Sequence, residues 1–287
     1  MQLEHNVSSP ALRFLVFTFA FSCAYGQMIQ KPEIAFQNEP FFNPTFIKNH
    51  DIERLQGKIF TKRKNDVIRE TKGFVAFSFH STGCLSSVVT YKPYASYKDS
   101  VVHLFSYDSL GNVAQYRILS PTGCSERNYL YRGGSVYMVS DSLQLKGKNK
   151  ADVGSRCYDR TEQGNQSNCI VKNECQIPIR SWMEIIGDEN KVMERIELDL
   201  INRDTLVTQY RYDVSHNLVE KSMRNQDGSQ MVCFTYAYDT KNFLQEIKEQ
   251  KNGKIQKEIQ ILYTSEGSIS DLIFYNHEMD FMEIVRF

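Results

Sequence analysis

The chain has 287 residues, enough for a sizeable core, and its 34 lysines and arginines balance its 34 aspartates and glutamates. That neutrality removes the electrostatic case for a nucleic-acid partner or an anionic membrane surface. No dinucleotide fingerprint, phosphate-binding loop, zinc-protease helix or nucleophile elbow occurs, so no catalytic residue, metal ligand or cofactor is assigned.

Residues 14–25 (FLVFTFAFSCAY) form an apolar run behind Arg13, too short to span a bilayer comfortably and of the length of a secretory leader. Ala24-Tyr25-Gly26 is a small-x-small cleavage site, so residues 1–26 are read as a signal peptide and the mature chain as starting at Gln27. Cys23 allows a lipid anchor as an alternative, and only then an association with the membrane, although Phe21 stands where a small residue is wanted. The expected location is exported: periplasm, cell surface or extracellular. Loss of Cys23 with the leader takes seven cysteines to six: Cys84, Cys124, Cys157, Cys169, Cys175 and Cys233. An even number in an exported chain favours disulfides, but six cysteines allow fifteen pairings and the sequence does not choose among them.

Residues 27–72 read as an N-terminal arm and cap, Pro- and Asn-broken at first and carrying Phe36, Phe41, Phe42 and Phe46. Residues 51–60 offer Ile52, Leu55 and Ile59 at helical spacing behind Asn49, with a strand over 58–61 competing. From about residue 73 to the end the chain reads as strands. Val75, Phe77 and Phe79 alternate with Phe74, Ala76 and Ser78, and Phe234, Tyr236 and Tyr238 with Cys233, Thr235 and Ala237. Such period-two alternation describes an antiparallel sheet packed on one face and wet on the other. Asp227-Gly228 and Asn252-Gly253 are two-residue hairpin signals. Residues 140–179 are polar, hold half of the six cysteines and show no alternation, so they are expected to be an irregular, cysteine-stapled insertion.

A degenerate unit recurs along this array. Tyr212-Asp213 with Asn217-Leu218 is matched 26 residues on by Tyr238-Asp239 with Leu244, and Tyr107-Asp108-x-x-Gly111-Asn112 sits 28 residues after Phe79-His80-x-x-Gly83-Cys84. A fixed period marks an array of one supersecondary unit. Each unit is strand, loop, strand, tight turn, so the fold class is all-β: an antiparallel meander of hairpins, about fourteen strands, in a strongly curled sheet. Tyr107, Asp108, Gly111, Tyr212, Asp213, Tyr238 and Asp239 define the repeat as structural residues. His80 and Cys84, which could be drawn as a base and nucleophile, fall on its Asp and turn positions.

The Tyr-Asp units resemble the tyrosine–aspartate (YD, or Rhs-type) repeat, most closely its short exported bacterial version, over residues 74–275 apart from the insertion. The resemblance implies stacked antiparallel hairpins and no transferable catalytic residue, since the repeat's Tyr and Asp are architectural. Three function classes follow. An exported scaffold or binding module facing an unknown protein or glycan leads, because repeat arrays chiefly offer extended surfaces. A carrier holding an apolar ligand in the curled sheet comes next, and a loop-based hydrolase last. An outer-membrane barrel is disfavoured by Lys-rich strands around residues 248–257.

Overall fold

The computed structural model describes residues 27–36, 39–93, 100–229 and 231–287, so the expected leader and Cys23 lie outside the described residues. One short helix, α1 (Pro44–Asn49), precedes eighteen strands: β1 (Arg54–Arg63), β2 (Arg69–Phe79), β3 (Leu85–Tyr91), β4 (Ser100–Tyr107), β5 (Val113–Ser120), β6 (Gly123–Arg132), β7 (Ser135–Leu145), β8 (Ala151–Gln163) and β9 (Gln166–Asn173). The second half continues as β10 (Pro178–Ile186), β11 (Val192–Asp199), β12 (Thr205–Tyr212), β13 (Leu218–Asn225), β14 (Met231–Tyr238), β15 (Leu244–Lys251), β16 (Lys254–Tyr263), β17 (Ile269–Asn276) and β18 (Phe281–Arg286). Every strand pairs antiparallel with the next. β18 then returns to β1, from Lys58 opposite Arg286 to Arg63 opposite Phe281, and the meander closes into a barrel.

Residues 140–179 correct one expectation. They are not an irregular excursion: β7, β8, β9 and the start of β10 run through them as paired antiparallel strands, with register shifts at Asp141/Ser142 and Pro178/Arg180. Their inward positions include Arg156 opposite Asn173, and Cys169 between Arg160 and Trp182, so both faces look polar in the sequence and the alternation is hidden. The disulfides expected among Cys84, Cys124, Cys157, Cys169, Cys175 and Cys233 are also corrected, since all six are free thiols. Their ladder partners explain why. Cys124 faces Leu119 and Gln144, Cys157 faces Met138 and Lys172, Cys169 faces Arg160 and Trp182, and Cys233 faces Ser222 and Gln250.

The repeat residues act at one end of the barrel. Asp108 Oδ1 accepts the N–H groups of Leu110 and Asn112, each at 2.9 Å, and Asp239 Oδ1 those of Lys241 and Phe243, each at 2.8 Å. Asp213 caps Asn217 in the same way at 2.8 Å. The closing position is left-handed, with φ of 83° at Gly111 and 64° at His216, so glycine sits there without strain and histidine with some. The tyrosines tie neighbouring hairpins together. Tyr107 Oη donates to the carbonyl of Leu85 at 2.8 Å, Tyr131 to Val113 at 3.0 Å, Tyr212 to Val192 at 3.1 Å, Tyr238 to Leu218 at 2.9 Å and Tyr263 to Leu244 at 2.8 Å. Each phenol reaches the first residue of the preceding loop's second strand, which is the physical content of the repeat period.

The same end receives the arm. Asn43 caps α1, its Oδ1 accepting from Thr45 and Phe46, with Pro44 at the first helical position. The helix therefore lies before residues 51–60, which become the start of β1. Gly57 belongs in that strand because a Cβ there would meet the Val285 side chain at 2.6 Å. Phe41 and Phe42 stack at 4.3 Å and are buried, and Phe42 meets the rings of Phe77 and Phe79 edge-on at 5.0 and 5.1 Å. Gln27 Oε1 accepts the Leu244 N–H at 3.0 Å, fixing the arm to the wall. The outer face is wet where it can be read most simply. On β15 and β16, Ile247 and Ile259 point in, while Glu246, Lys248, Glu258 and Gln260 point out and bond in pairs.

Burial pushes the Tyr107, Tyr238 and Tyr263 phenols above their ordinary value of 10.0. A raised folded value favours the neutral form, so this stability is complete below about pH 10 and is lost as pH rises through the folded values. Tyr238→Phe removes one carbonyl partner and is expected to lower stability by about 1 kcal/mol at neutral pH. It also shallows the alkaline fall, and urea unfolding at neutral pH and above about pH 10 reads both effects.

Candidate functional site

Inward positions are fixed by register, and they divide the lumen into two sectors. From β13 round through β18 to β5 the wall is mainly apolar, with Tyr236, Ile247, Ile261, Leu272, Val285, Phe77 and Phe105 in one buried cluster with the arm. Part of this sector is open. A cavity of about 380 Å³ lies between Phe36 and Phe41 of the arm and Val75, Phe77, Val88, Phe105, Phe274 and Val285 of the wall. Its polar groups are already matched. Lys92 Nζ donates to both Glu283 oxygens at 2.7 and 2.8 Å, and His103 Nδ1 meets the Tyr116 hydroxyl at 2.6 Å. Burial lowers the His103 pKa, keeping the imidazole neutral at pH 7, and pushes Tyr116 up to about 12.

From β6 to β12 the inner wall is charged, and its carboxylates Asp141 and Glu184 are each shared by two guanidiniums. Asp141 is held by Arg127 Nε at 2.6 Å and Arg156 Nη2 at 2.5 Å. Glu184, only 2% exposed, receives Arg160 Nη2 at 2.7 Å on one oxygen and Arg195 on the other, with Arg160 Nε also donating to Ser167 Oγ at 2.8 Å. Arg195 lies over the Trp182 ring at 5.5 Å. Beside them, burial lowers the Lys221 pKa and raises the Cys169 thiol to about 11, so Cys169 is a protonated, unreactive group. A second cavity, about 810 Å³, opens in this sector between Phe36 and Glu39 of the arm and Tyr116, Tyr129, Arg127, Asp141 and Ser142 of the wall.

The structure does not gather the sequence-selected residues into a site. Tyr107, Asp108, Gly111, Tyr212, Asp213, Tyr238 and Asp239 are loop and buckle residues, and the six cysteines are dispersed. His80 and Cys84 close the first hairpin, the His80 N–H donating to the Cys84 carbonyl at 2.8 Å. Among the described residues, no three His, Cys, Asp or Glu side chains converge to hold a metal ion. Sequence reading missed Glu184, Arg160, Arg195, Arg127 and Asp141, because a charged residue on a strand reads as solvent-facing until its register is known.

The chain matches no protein-family model and no curated protein. Among solved structures it is similar to a porin-like protein from Bacteroides uniformis ATCC 8492 at 9% identity, over 82% of this chain and 95% of that one, with a TM-score of 0.33. A porin-like protein from Bacteroides vulgatus ATCC 8482 gives 9%, 80%, 95% and 0.34 by the same measures. TcdB2-TccC3 without its hypervariable C-terminal region gives 12% identity over 76% of this chain and 11% of that one, with a TM-score of 0.27. Likenesses at these values carry no functional argument, and the YD-type resemblance rests on the repeat residues themselves.

The Glu184 cluster makes a direct demand. Glu184→Leu leaves two guanidiniums against an apolar group in the wall, and is expected to destabilise by about 2–3 kcal/mol, the partial exposure of both arginines keeping it at the lower end for a broken buried pair. Equilibrium urea unfolding measures it, and an unchanged midpoint would remove this cluster from the stabilising interactions.

Proposed function

We propose that this chain is an exported, non-catalytic carrier that holds an apolar small molecule inside its barrel. The observation that carries the reading is the cavity of about 380 Å³ between the arm and the apolar wall, which falls within the size range of small-molecule pockets. Its lining is largely aromatic and aliphatic, and Lys92 and Glu283 within it are paired with each other, as expected of a site that selects by shape and desolvation. Barrel closure supports the interior over the outer sheet as the binding element, since a closed ring offers no free strand edge to a partner chain. The exported location rests on the leader-like residues 14–25 and the small-x-small site that follows them.

The probe is N-phenyl-1-naphthylamine, a neutral apolar fluorophore. Saturable one-to-one binding is expected, and Val88→Trp, which places an indole in the cavity, is expected to weaken it by about tenfold, or about 1.4 kcal/mol. Thr235→Trp on the outer face serves as control. Non-saturable fluorescence, or equal affinity in Val88→Trp and wild type, would remove the carrier reading.

A further inference from the structure

The two lumenal cavities adjoin. Phe36 lines both, and the 2.6 Å contact between His103 and Tyr116 joins a residue of the first to a residue of the second. Phe105, in the wall of the first, stacks on Tyr116 at 5.1 Å. One is apolar and the other polar, so together they present the two solvents that a single amphiphilic molecule requires.

The polar cavity has a definite chemistry. Asp141 is paired within the wall, with Arg127 at 2.6 Å and Arg156 at 2.5 Å. Glu39 adds a carboxylate from the arm and opposes an anionic guest. What is offered is neutral hydrogen bonding beside ring faces. Tyr116 and Tyr129 supply hydroxyls and flat apolar surfaces. Ring faces bordered by hydroxyl and carboxylate groups match a pyranose, whose C–H faces stack on aromatics while its edges hydrogen-bond.

We propose that the lumen is one continuous site for an amphiphile with an uncharged polyhydroxylated head, such as a glycolipid, its apolar part between the arm and the β2–β4 and β16–β18 wall and its head against Tyr116 and Tyr129. This proposal rests on the carrier reading and adds the chemistry of the head to it.

The test is displacement of N-phenyl-1-naphthylamine by octyl glucoside, 1-octanol, octanoate and glucose, each below any micellar concentration. Two or so extra hydrogen bonds place octyl glucoside about tenfold ahead of 1-octanol and of octanoate, with glucose alone weak. Tyr129→Ala and Tyr129→Phe are expected to erase that advantage while leaving 1-octanol unchanged, and circular dichroism of both variants checks that they remain folded. If octanoate or 1-octanol displaces the probe as well as octyl glucoside does on the wild-type protein, the head-group proposal fails and the apolar carrier stands. If the fluorophore itself fails to bind, both readings fail together.

Discussion

An eighteen-stranded ring cannot fill itself. Strands about 4.8 Å apart enclose a lumen wider than their inward side chains can span, as the water-filled interiors of barrels of this size show. Everything else in this molecule depends on what occupies that space. At one end the answer is the arm, whose Phe41 and Phe42 turn an unfilled ring into a core by meeting Phe77 and Phe79. Gly83 shows how close the arm comes: a Cβ there would fall 1.9 Å from the Pro44 carbonyl oxygen. Beyond the arm's reach the wall must satisfy itself, which it does with ion pairs on β6–β12 and leaves open with apolar surface on the opposite side.

That division connects stability to function. Where the wall is charged, Asp141 and Glu184 are each shared by two guanidiniums, so every carboxylate of this cluster is met within the wall. Where it is apolar, the arm covers only part of it, and the uncovered remainder is the cavity beside Phe274 and Val88. On the carrier reading, a small apolar guest would complete the core that the arm begins. Binding and folding would then draw on the same hydrophobic contacts, and an occupied barrel would unfold at higher denaturant than an empty one.

Much of this was legible in the residues. The alternation at Phe77 and Phe234, the Asp-Gly and Asn-Gly turns and the Tyr-Asp spacing all report local rules, and they describe an antiparallel all-β meander. The tyrosine's role is visible only in three dimensions, because its carbonyl partner lies about twenty residues back on the neighbouring hairpin. Strands β7–β9 were hidden for a different reason. Asp141, Arg156 and Arg160 stand at inward positions where an apolar residue would have revealed the period, so the segment reads as loop. The cysteines misled through composition: an even count in an exported chain favours bridges, yet side chains such as Cys124 and Cys233 face Leu119, Gln144, Ser222 and Gln250 rather than each other. Ring closure by β1 and β18 is a pairing between the two ends of the array, which no local pattern encodes.

The filling of the lumen by the arm is tested most directly by equilibrium unfolding of Phe41→Ala. Phe41 is 2% exposed and contacts Phe36, Phe42 and Phe77, so truncation opens a cavity inside the ring and should lower stability by about 3–5 kcal/mol. A denaturation midpoint unchanged from the wild-type protein would mean that the barrel stands without its arm, and would contradict the packing from which the lumenal site is built.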